Sequence, residues 1–208
     1  MLKLAVLASG SGSNLQAMID AIAAGALPAK IQLVLSDKAD AFALERAKQA
    51  GIPTVVISPQ AFATREEYDR QVVAAIRQYE VDVVALAGYM RIVTPGFLQA
   101  FPQRVVNIHP ALLPAFPGLH GQRQAWEYGV KVSGCTVHFV DEGTDTGPII
   151  AQATVPVLDT DDADTLAARI LEQEHRLYPH VLKLLAEGRV SIEGRRVKIK
   201  TDVDESME

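Results

Sequence analysis

Short apolar runs rich in β-branched residues alternate along the chain with longer segments in which apolar residues recur at helical spacing. The first run covers residues 2–8, and the segment after it places Leu15, Met18, Ile19 and Ile22 on one face of a helix. Further strands are predicted at residues 31–35, 54–57, 82–87 and 104–108, and a further helix at residues 42–50. This order is typical of parallel strands joined by crossover helices.

Two signals mark where later helices begin. Thr64 and Glu67 fit a capping box, in which each side chain accepts a hydrogen bond from the backbone N–H of the other residue. The helix that follows is predicted to turn these residues inward: Tyr68, Val72, Ile76 and Tyr79. Thr94 followed by Pro95 is the second signal. Between the two helices, residues 82–87 are continuously apolar, which indicates a central strand covered on both faces.

After residue 110 the regular alternation of strands and helices ends. Prolines and glycines at residues 111–122 predict a loop. Strands are then predicted at residues 133–140 and 149–157, a helix at 162–175 that Tyr178-Pro179 breaks or kinks, and a hairpin at 189–199 turning at Glu193-Gly194. We therefore expect an α/β fold with a Rossmann-like open sheet, mostly parallel with antiparallel C-terminal strands, and with helices on both faces.

Length and composition fit one domain at residues 1–200, followed by a flexible acidic tail at residues 201–208. The net charge of −5 and the lack of a basic run argue against nucleic acid or an anionic membrane as the main partner. No apolar run approaches the roughly 20 residues that span a bilayer, and residues 4–8 are too short for a signal peptide. The single cysteine, Cys135, is typical of a reducing compartment, so we predict a soluble cytoplasmic protein.

A glycine-rich turn at residues 10–14, the phosphate turn, joins the first strand to the first helix. Its backbone N–H groups and the positive helix end favour an anion. A dinucleotide fingerprint is incomplete, because Leu15 occupies the third glycine position, although Asp37 could serve as a ribose-binding acid. A tight turn without a ligand is a further alternative. A single phosphomonoester suits the small polar residues of the turn best.

Asn107 and His109 lie two residues apart at the end of a predicted strand, so their side chains point to the same side. Asp145 lies in a glycine-containing acidic segment at residues 141–147, the acidic loop, which can bend towards that strand end. A carboxylate beside an imidazole stabilises its protonated, proton-donating form. Two alternatives are that His109 is a buried structural histidine and that the acidic loop is a solvated turn. Metal binding by His109, His120, His138 and Asp145 has no supporting ligand spacing.

Several motifs together resemble the phosphoribosylglycinamide formyltransferase family over nearly the whole chain. They are GSNLQ at residues 12–16, LAGYMRI at 86–92, NIHP at 107–110, LLP at 112–114 and QEH at 173–175. The resemblance implies transfer of the formyl group of 10-formyltetrahydrofolate to the amine of glycinamide ribonucleotide, an early step of purine synthesis. Other folate-dependent formyltransferases and hydrolases share the histidine followed by LLP, but usually carry an additional domain.

The resemblance also assigns residues to sites. It implies that Asn107, His109 and Asp145 are catalytic. For the ribonucleotide it implies Gly12, Ser13, Asn14, Leu171, Glu172, Gln173 and Glu174. For the folate it implies Arg65, Met90, Arg91, Ile92, Val93, Asn107, Asp141, Glu142, Gly143, Thr144 and Asp145. Residues 1–100 would then be the phosphate-binding half and residues 101–200 the catalytic and folate-binding half. Ala111 and Gln122 depart from the family, which usually has serine and frequently histidine there.

The expected mechanism is direct attack by the substrate amine on the formyl carbon. Asn107 and protonated His109 would donate hydrogen bonds to the oxyanion that forms, while Asp145 keeps His109 charged and oriented. No metal or covalent intermediate is required, and Cys135 is predicted to be a core residue. A non-catalytic phosphosugar or dinucleotide binder remains the alternative, and the assembly is expected to be a monomer or weak homodimer.

Overall fold

A computed structural model describes residues 1–201, and within this range seven strands form one open sheet. The strands are β1 (Leu2–Leu7), β2 (Ala29–Ser36), β3 (Thr54–Val56), β4 (Val83–Leu86), β5 (Val105–His109), β6 (Val132–Phe139) and β7 (Ile149–Pro156). Their order is β3-β2-β1-β4-β5-β6-β7, with parallel pairing up to β5 and antiparallel pairing from β5 through β7. The predicted sheet, with β4 at its centre, is confirmed.

Helices connect most of these strands. They are α1 (Ser13–Ala23), α2 (Phe42–Gln49), α3 (Arg65–Ile76), α4 (Pro95–Ala100), α5 (Gly121–Tyr128) and α6 (Ala163–Ala186), with a short 3-10 helix at Pro59–Ala61. The predicted hairpin is also present, as β8 (Val190–Glu193) paired antiparallel with β9 (Arg196–Ile199). Among residues 1–201, no helix is long and apolar enough to cross a membrane. Apart from Thr201, the predicted tail lies outside the described residues.

Alternate residues of β1 enter two different cores. Leu4 and Val6 pack with Met18 of α1 and Leu182 of α6 on one face of the sheet. Ala5 and Leu7 pack on the other face, with residues of α3 and α4 that include Tyr68, Val72, Ile76 and Phe97. Because a strand directs successive side chains to opposite faces, this division confirms that helices cover both faces.

Both predicted helix starts are present, with one difference in detail. Thr94 caps α4 by accepting a hydrogen bond from the Phe97 N–H at 3.4 Å. Thr64 caps α3 by accepting from the Glu67 N–H at 3.2 Å. The Glu67 carboxylate accepts from the N–H of Ala63 at 3.0 Å, one residue before the predicted partner. The reciprocal capping box predicted between Thr64 and Glu67 is therefore only half formed.

Helix α5 begins inside the segment predicted to be a loop. Gly121 and Gln122 form its first turn, so the loop is residues 110–120, called the proline loop below. Only Gly121 and Ala125 of this helix are buried. A short helix with so little apolar periodicity leaves no clear sequence signal.

Of the two effects predicted for Tyr178-Pro179, a break or a kink, the break is wrong. Helix α6 continues through Pro179 to Ala186. Proline removes one backbone hydrogen bond, but the fully buried Tyr178, Val181 and Leu182 pack this part of the helix against the sheet. The Tyr178 hydroxyl also contacts the carbonyls of Leu86 and Val106, at 2.9 and 3.1 Å. Tertiary contacts therefore outweigh the local cost of the proline.

Replacing Tyr178 with phenylalanine is expected to lower the free energy of unfolding by about 1–2 kcal/mol, because the buried carbonyls of Leu86 and Val106 lose a donor. Chemical denaturation checks this value. Tyr128→Phe is the matched control, since Tyr128 is 80% exposed. Equal unfolding midpoints for the two variants would show that the hydroxyl contributes nothing to stability.

Candidate active site

A cavity of about 460 Å³ opens at the carboxyl ends of β4 and β5. Asn107, His109 and Asp145 all line it. In an open parallel sheet, this is the edge where ligands bind. The structure therefore brings the three predicted catalytic residues together at the expected edge.

Strand β5 supplies two of these side chains from alternate positions. His109, 4% exposed, is the last residue of the strand, and its Nδ1 lies 3.4 Å from Asp145 Oδ2. The Nε2 atom lies 2.7 Å from the backbone carbonyl of Phe116, in the proline loop. Because a carbonyl oxygen only accepts, Nε2 carries the N–H that donates to Phe116, and Nδ1 faces the Asp145 carboxylate. The hydrogen bond to Phe116 must therefore break before Nε2 can donate to a ligand.

Asp145 ties three segments of the site together. Its Oδ2 accepts a hydrogen bond from the N–H of Gly118 at 2.7 Å, which joins the acidic loop to the proline loop. The same oxygen faces His109 of β5, and Oδ1 lies 3.8 Å from Nε2 of His138 in β6. Asp145 adopts a left-handed backbone conformation with φ 55°, which is uncommon outside glycine. These contacts hold the carboxylate beside the imidazole.

His138, considered in the sequence only as an unsupported metal ligand, has a different place in the site. It pairs with Asn107 across β5 and β6, and its Nε2 lies 3.2 Å from Asn107 Nδ2. Burial lowers the pKa of His138 below its usual value, partly offset by the nearby Phe139 carbonyl. A neutral ring with its proton on Nδ1, donated to Phe139 O at 2.8 Å, leaves Nε2 free to accept from the Asn107 amide. This contact orients the Asn107 side chain towards the cavity.

The phosphate turn wraps the start of α1. Gly12 has φ 69°, and a Cβ there would lie 2.6 Å from Ala43 Cα, so the turn has room only for glycine at this position. Buried Asn14 donates from Nδ2 to Glu174 Oε2 at 2.7 Å. Burial raises the pKa of Glu174, and the hydrogen bond from Asn14 opposes that rise. Two segments predicted to hold the ribonucleotide, the turn and the part of α6 around Glu174, are therefore in direct contact.

The phosphate turn and the cavity are neighbours at one sheet edge. Ser9, directly before the turn, donates from its N–H to the Gly88 carbonyl at 3.0 Å. Its hydroxyl accepts from the Met90 N–H at 2.9 Å. Gly88 and Met90 both line the cavity, whereas residues 10–14 do not. The site therefore has two adjoining parts.

The residues predicted to hold the folate fall into two groups. Those lining the cavity are Met90, Arg91, Ile92, Val93, Asn107, Asp141, Gly143, Thr144 and Asp145. Arg65, at the start of α3, and Glu142 do not line it. The folate-binding role of both groups stays a prediction. The guanidinium of Arg91 lies over the Tyr68 ring, 4.6 Å from its centroid. Exposed apolar side chains, such as Met90, give one wall of the cavity the character expected for an aromatic ligand.

Ala111 and Gln122, the two positions at which the sequence departs from the resemblance described above, lie in or beside the proline loop. Ala111 is fully buried, and its carbonyl accepts from the Thr136 hydroxyl at 2.7 Å, which anchors the loop without a serine. Gln122 lines the cavity, and its Oε1 is buried without a partner among the described residues. Within residues 1–201, no group of three or more His, Cys, Asp or Glu side chains is arranged to hold a metal ion.

Comparison with known proteins gives a consistent family. A family model described as formyl transferase matches residues 2–182. The chain is 49% identical to phosphoribosylglycinamide formyltransferase of Escherichia coli K12, over 92% of this chain and 90% of that protein. It is 52% identical to the trifunctional purine biosynthetic protein adenosine-3 of Drosophila melanogaster, over 89% of this chain but only 14% of that much longer protein.

Solved structures agree with these relatives. The crystal structure of glycinamide ribonucleotide transformylase 1 from Symbiobacterium toebii superimposes with a TM-score of 0.95 and 54% identity. That alignment covers 97% of this chain and 95% of the other. The chain therefore belongs to the formyl transferase family and, within it, to the phosphoribosylglycinamide formyltransferases.

Proposed function

We propose that this protein transfers the formyl group of 10-formyltetrahydrofolate to the amine of glycinamide ribonucleotide, as a step of purine biosynthesis. The observation that carries the proposal is the cavity in which Asn107, His109 and Asp145 meet beside the phosphate turn. Family membership supports the same reaction. A phosphate site next to an oxyanion-stabilising site suits a phosphorylated amine and a formyl donor.

The reaction begins when the unprotonated substrate amine attacks the formyl carbon. A carbon–nitrogen bond forms, and the carbonyl oxygen becomes an oxyanion. The bond from this carbon to N10 of the folate then breaks, while a proton passes from the attacking nitrogen to N10 through water or His109. Donors aimed at an oxyanion contribute about 2.7–4 kcal/mol each in known enzymes. Asn107 and His109 are the donors in this proposal.

The three side chains divide this work. His138 holds the Asn107 amide, so the other amide hydrogen is available to the oxyanion. His109 donates after its ring leaves the Phe116 carbonyl, and the Asp145 carboxylate stabilises its positive charge. Cys135 takes no part, because burial raises the pKa of its thiol to about 12 and keeps it protonated at neutral pH.

The two substrates occupy the two adjoining parts of the site. The ribonucleotide phosphate binds at Gly12, Ser13 and Asn14, with its ribose and glycinamide near residues 171–174 of α6. The folate binds between residues 90–93 and the acidic loop. The Asn14–Glu174 contact and the apolar wall at Met90 support these placements.

A spectrophotometric assay tests the reaction, with absorbance reporting the folate product. Product is expected only when 10-formyltetrahydrofolate and glycinamide ribonucleotide are both present. Folate product without the ribonucleotide would indicate a hydrolase. Binding of the ribonucleotide with no folate turnover would indicate a non-catalytic phosphosugar binder. Either result would overturn the proposed transfer.

The location and the class of partner are proposed from composition and charge. The single, buried cysteine is the basis for proposing a cytoplasmic location. The negative net charge favours small-molecule substrates over nucleic acid. We propose a monomer or weak homodimer, and sedimentation over a range of protein concentrations distinguishes these states.

A further inference from the structure

Arg46 of α2 contacts the phosphate turn. Its Nε donates to the backbone carbonyl of Ser11 at 2.8 Å. Its Nη1 donates to Oε1 of Gln16, in the first part of α1, at 3.2 Å. Among residues 1–201, no carboxylate oxygen lies within 4.0 Å of its side-chain nitrogens. The positive charge of Arg46 is therefore not neutralised by an ion pair within the described part of the chain.

Helix α2 also fits closely against the turn. The Ala43 N–H donates to the Gly10 carbonyl at 3.0 Å, and Gly12 lies so near Ala43 that a Cβ would clash. Arg46 follows Ala43 by three residues, on the same side of the helix. The Arg46 guanidinium lies 4.9 Å from the centroid of the Phe42 ring, which restrains it beside the turn.

The positive charge of Arg46 affects the pKa of a histidine next to the predicted ribonucleotide residues of α6. His175 follows Glu174, and its Nε2 is buried with no partner among the described residues. Burial lowers the pKa of His175, and the positive charge of Arg46 lowers it further. A phosphomonoester carries a charge of about −1.5 to −2 at neutral pH. Backbone N–H groups alone supply only dipoles to balance this charge.

No other cationic side chain in residues 1–201 has a hydrogen bond to the phosphate turn. We propose that Arg46 is a positioning residue for the substrate phosphate. By holding the Ser11 carbonyl, it keeps the N–H groups of the turn available to an anion, and its charge attracts the phosphate. The inference rests on the proposed function, in which the turn binds the phosphate of the ribonucleotide.

Replacing Arg46 with methionine removes the charge and both hydrogen bonds but keeps much of the side-chain length. The KM for glycinamide ribonucleotide is expected to rise roughly tenfold, as for the loss of one charged hydrogen bond. The value of kcat is expected to change less than about twofold, because Arg46 and the phosphate turn do not line the cavity where the formyl group reacts. Arg46→Lys keeps the charge but loses the fixed Nε–H geometry, so an intermediate KM is expected.

The decisive readout is the ratio of kcat/KM for glycinamide ribonucleotide to that for the dephosphorylated riboside. This ratio does not depend on the fraction of active enzyme, so partial misfolding of a variant leaves it unchanged. It is expected to fall roughly tenfold in Arg46→Met, because only the phosphorylated substrate uses the Arg46 charge. Inorganic phosphate competes with the ribonucleotide, and its inhibition constant should rise by a similar factor in Arg46→Met.

Lys48→Met is the matched control. Lys48 lies on the same helix and pairs with Glu45 at 2.8 Å, without contacting the turn. Lys48→Met should leave the ratio of the two kcat/KM values unchanged. If Lys48→Met and Arg46→Met lowered this ratio equally, Arg46 would contribute only general surface charge, and the proposal would be overturned. An unchanged ratio in Arg46→Met would also overturn it, with the phosphate site left standing. A wild-type enzyme that uses both substrates equally would instead refute the phosphate site itself.

Discussion

Replacing His109 with alanine is expected to lower kcat for formyl transfer by about 10²–10³-fold, the usual cost of losing one oxyanion donor. The ring is almost fully buried beside the cavity, at the end of β5. The KM for the ribonucleotide is expected to change less than about threefold, because His109 acts on the transition state and the phosphate turn remains intact. Steady-state kinetics with both substrates varied provides these values.

His180→Ala is the control for this variant, since His180 is exposed on α6, away from the cavity. It should retain wild-type kinetics. His109→Gln tests whether a neutral donor can substitute, and its kcat should lie between those of wild type and alanine. Normal turnover by His109→Ala would remove this histidine from the mechanism.

Local patterns explain what the sequence could predict of the site. Asn107 and His109 were assigned to one side of a strand because side-chain direction alternates within any strand. The phosphate turn was recognisable because a strand, a glycine pair and a helical apolar face follow one another directly. Both features depend on residues that are close in sequence, so the pattern alone identifies them.

Contacts between distant segments could not be predicted in this way. His138 supports Asn107 only because β5 and β6 pair in one particular antiparallel register. The acceptor for His109 is the carbonyl of Phe116, which has a left-handed conformation with φ 54° in a loop without periodicity. Arg46 reaches Ser11 across 35 residues. Such partners follow from packing rather than from any local propensity.

The length of α6 illustrates the same limit for the fold. Proline at position 179 is a strong local signal for a helix end. The buried contacts of Tyr178 with the carbonyls of β4 and β5 overrule that signal. The sequence does not show the register of the sheet beneath the helix, so the break predicted at Tyr178-Pro179 was wrong.

Replacing Asp145 with asparagine is expected to lower kcat by roughly a hundredfold, because it removes the charge that stabilises protonated His109. The amide oxygen of asparagine can still accept from the Gly118 N–H, so the proline loop should keep its anchor. The KM for the folate is therefore expected to change little in this variant. Rapid-quench measurement of a single turnover separates this chemical step from product release.

Asp145→Ala distinguishes the charge from the anchor. Alanine removes both the carboxylate and the acceptor for Gly118, so the KM for the folate should rise in addition to the fall in kcat. Asp159→Asn is the control for the change in net charge, because Asp159 is a highly exposed residue that pairs with Lys131 at the surface. If Asp145→Asn kept normal turnover while Asp145→Ala lost it, the carboxylate would serve as a loop anchor alone, and its charge would have no part in formyl transfer.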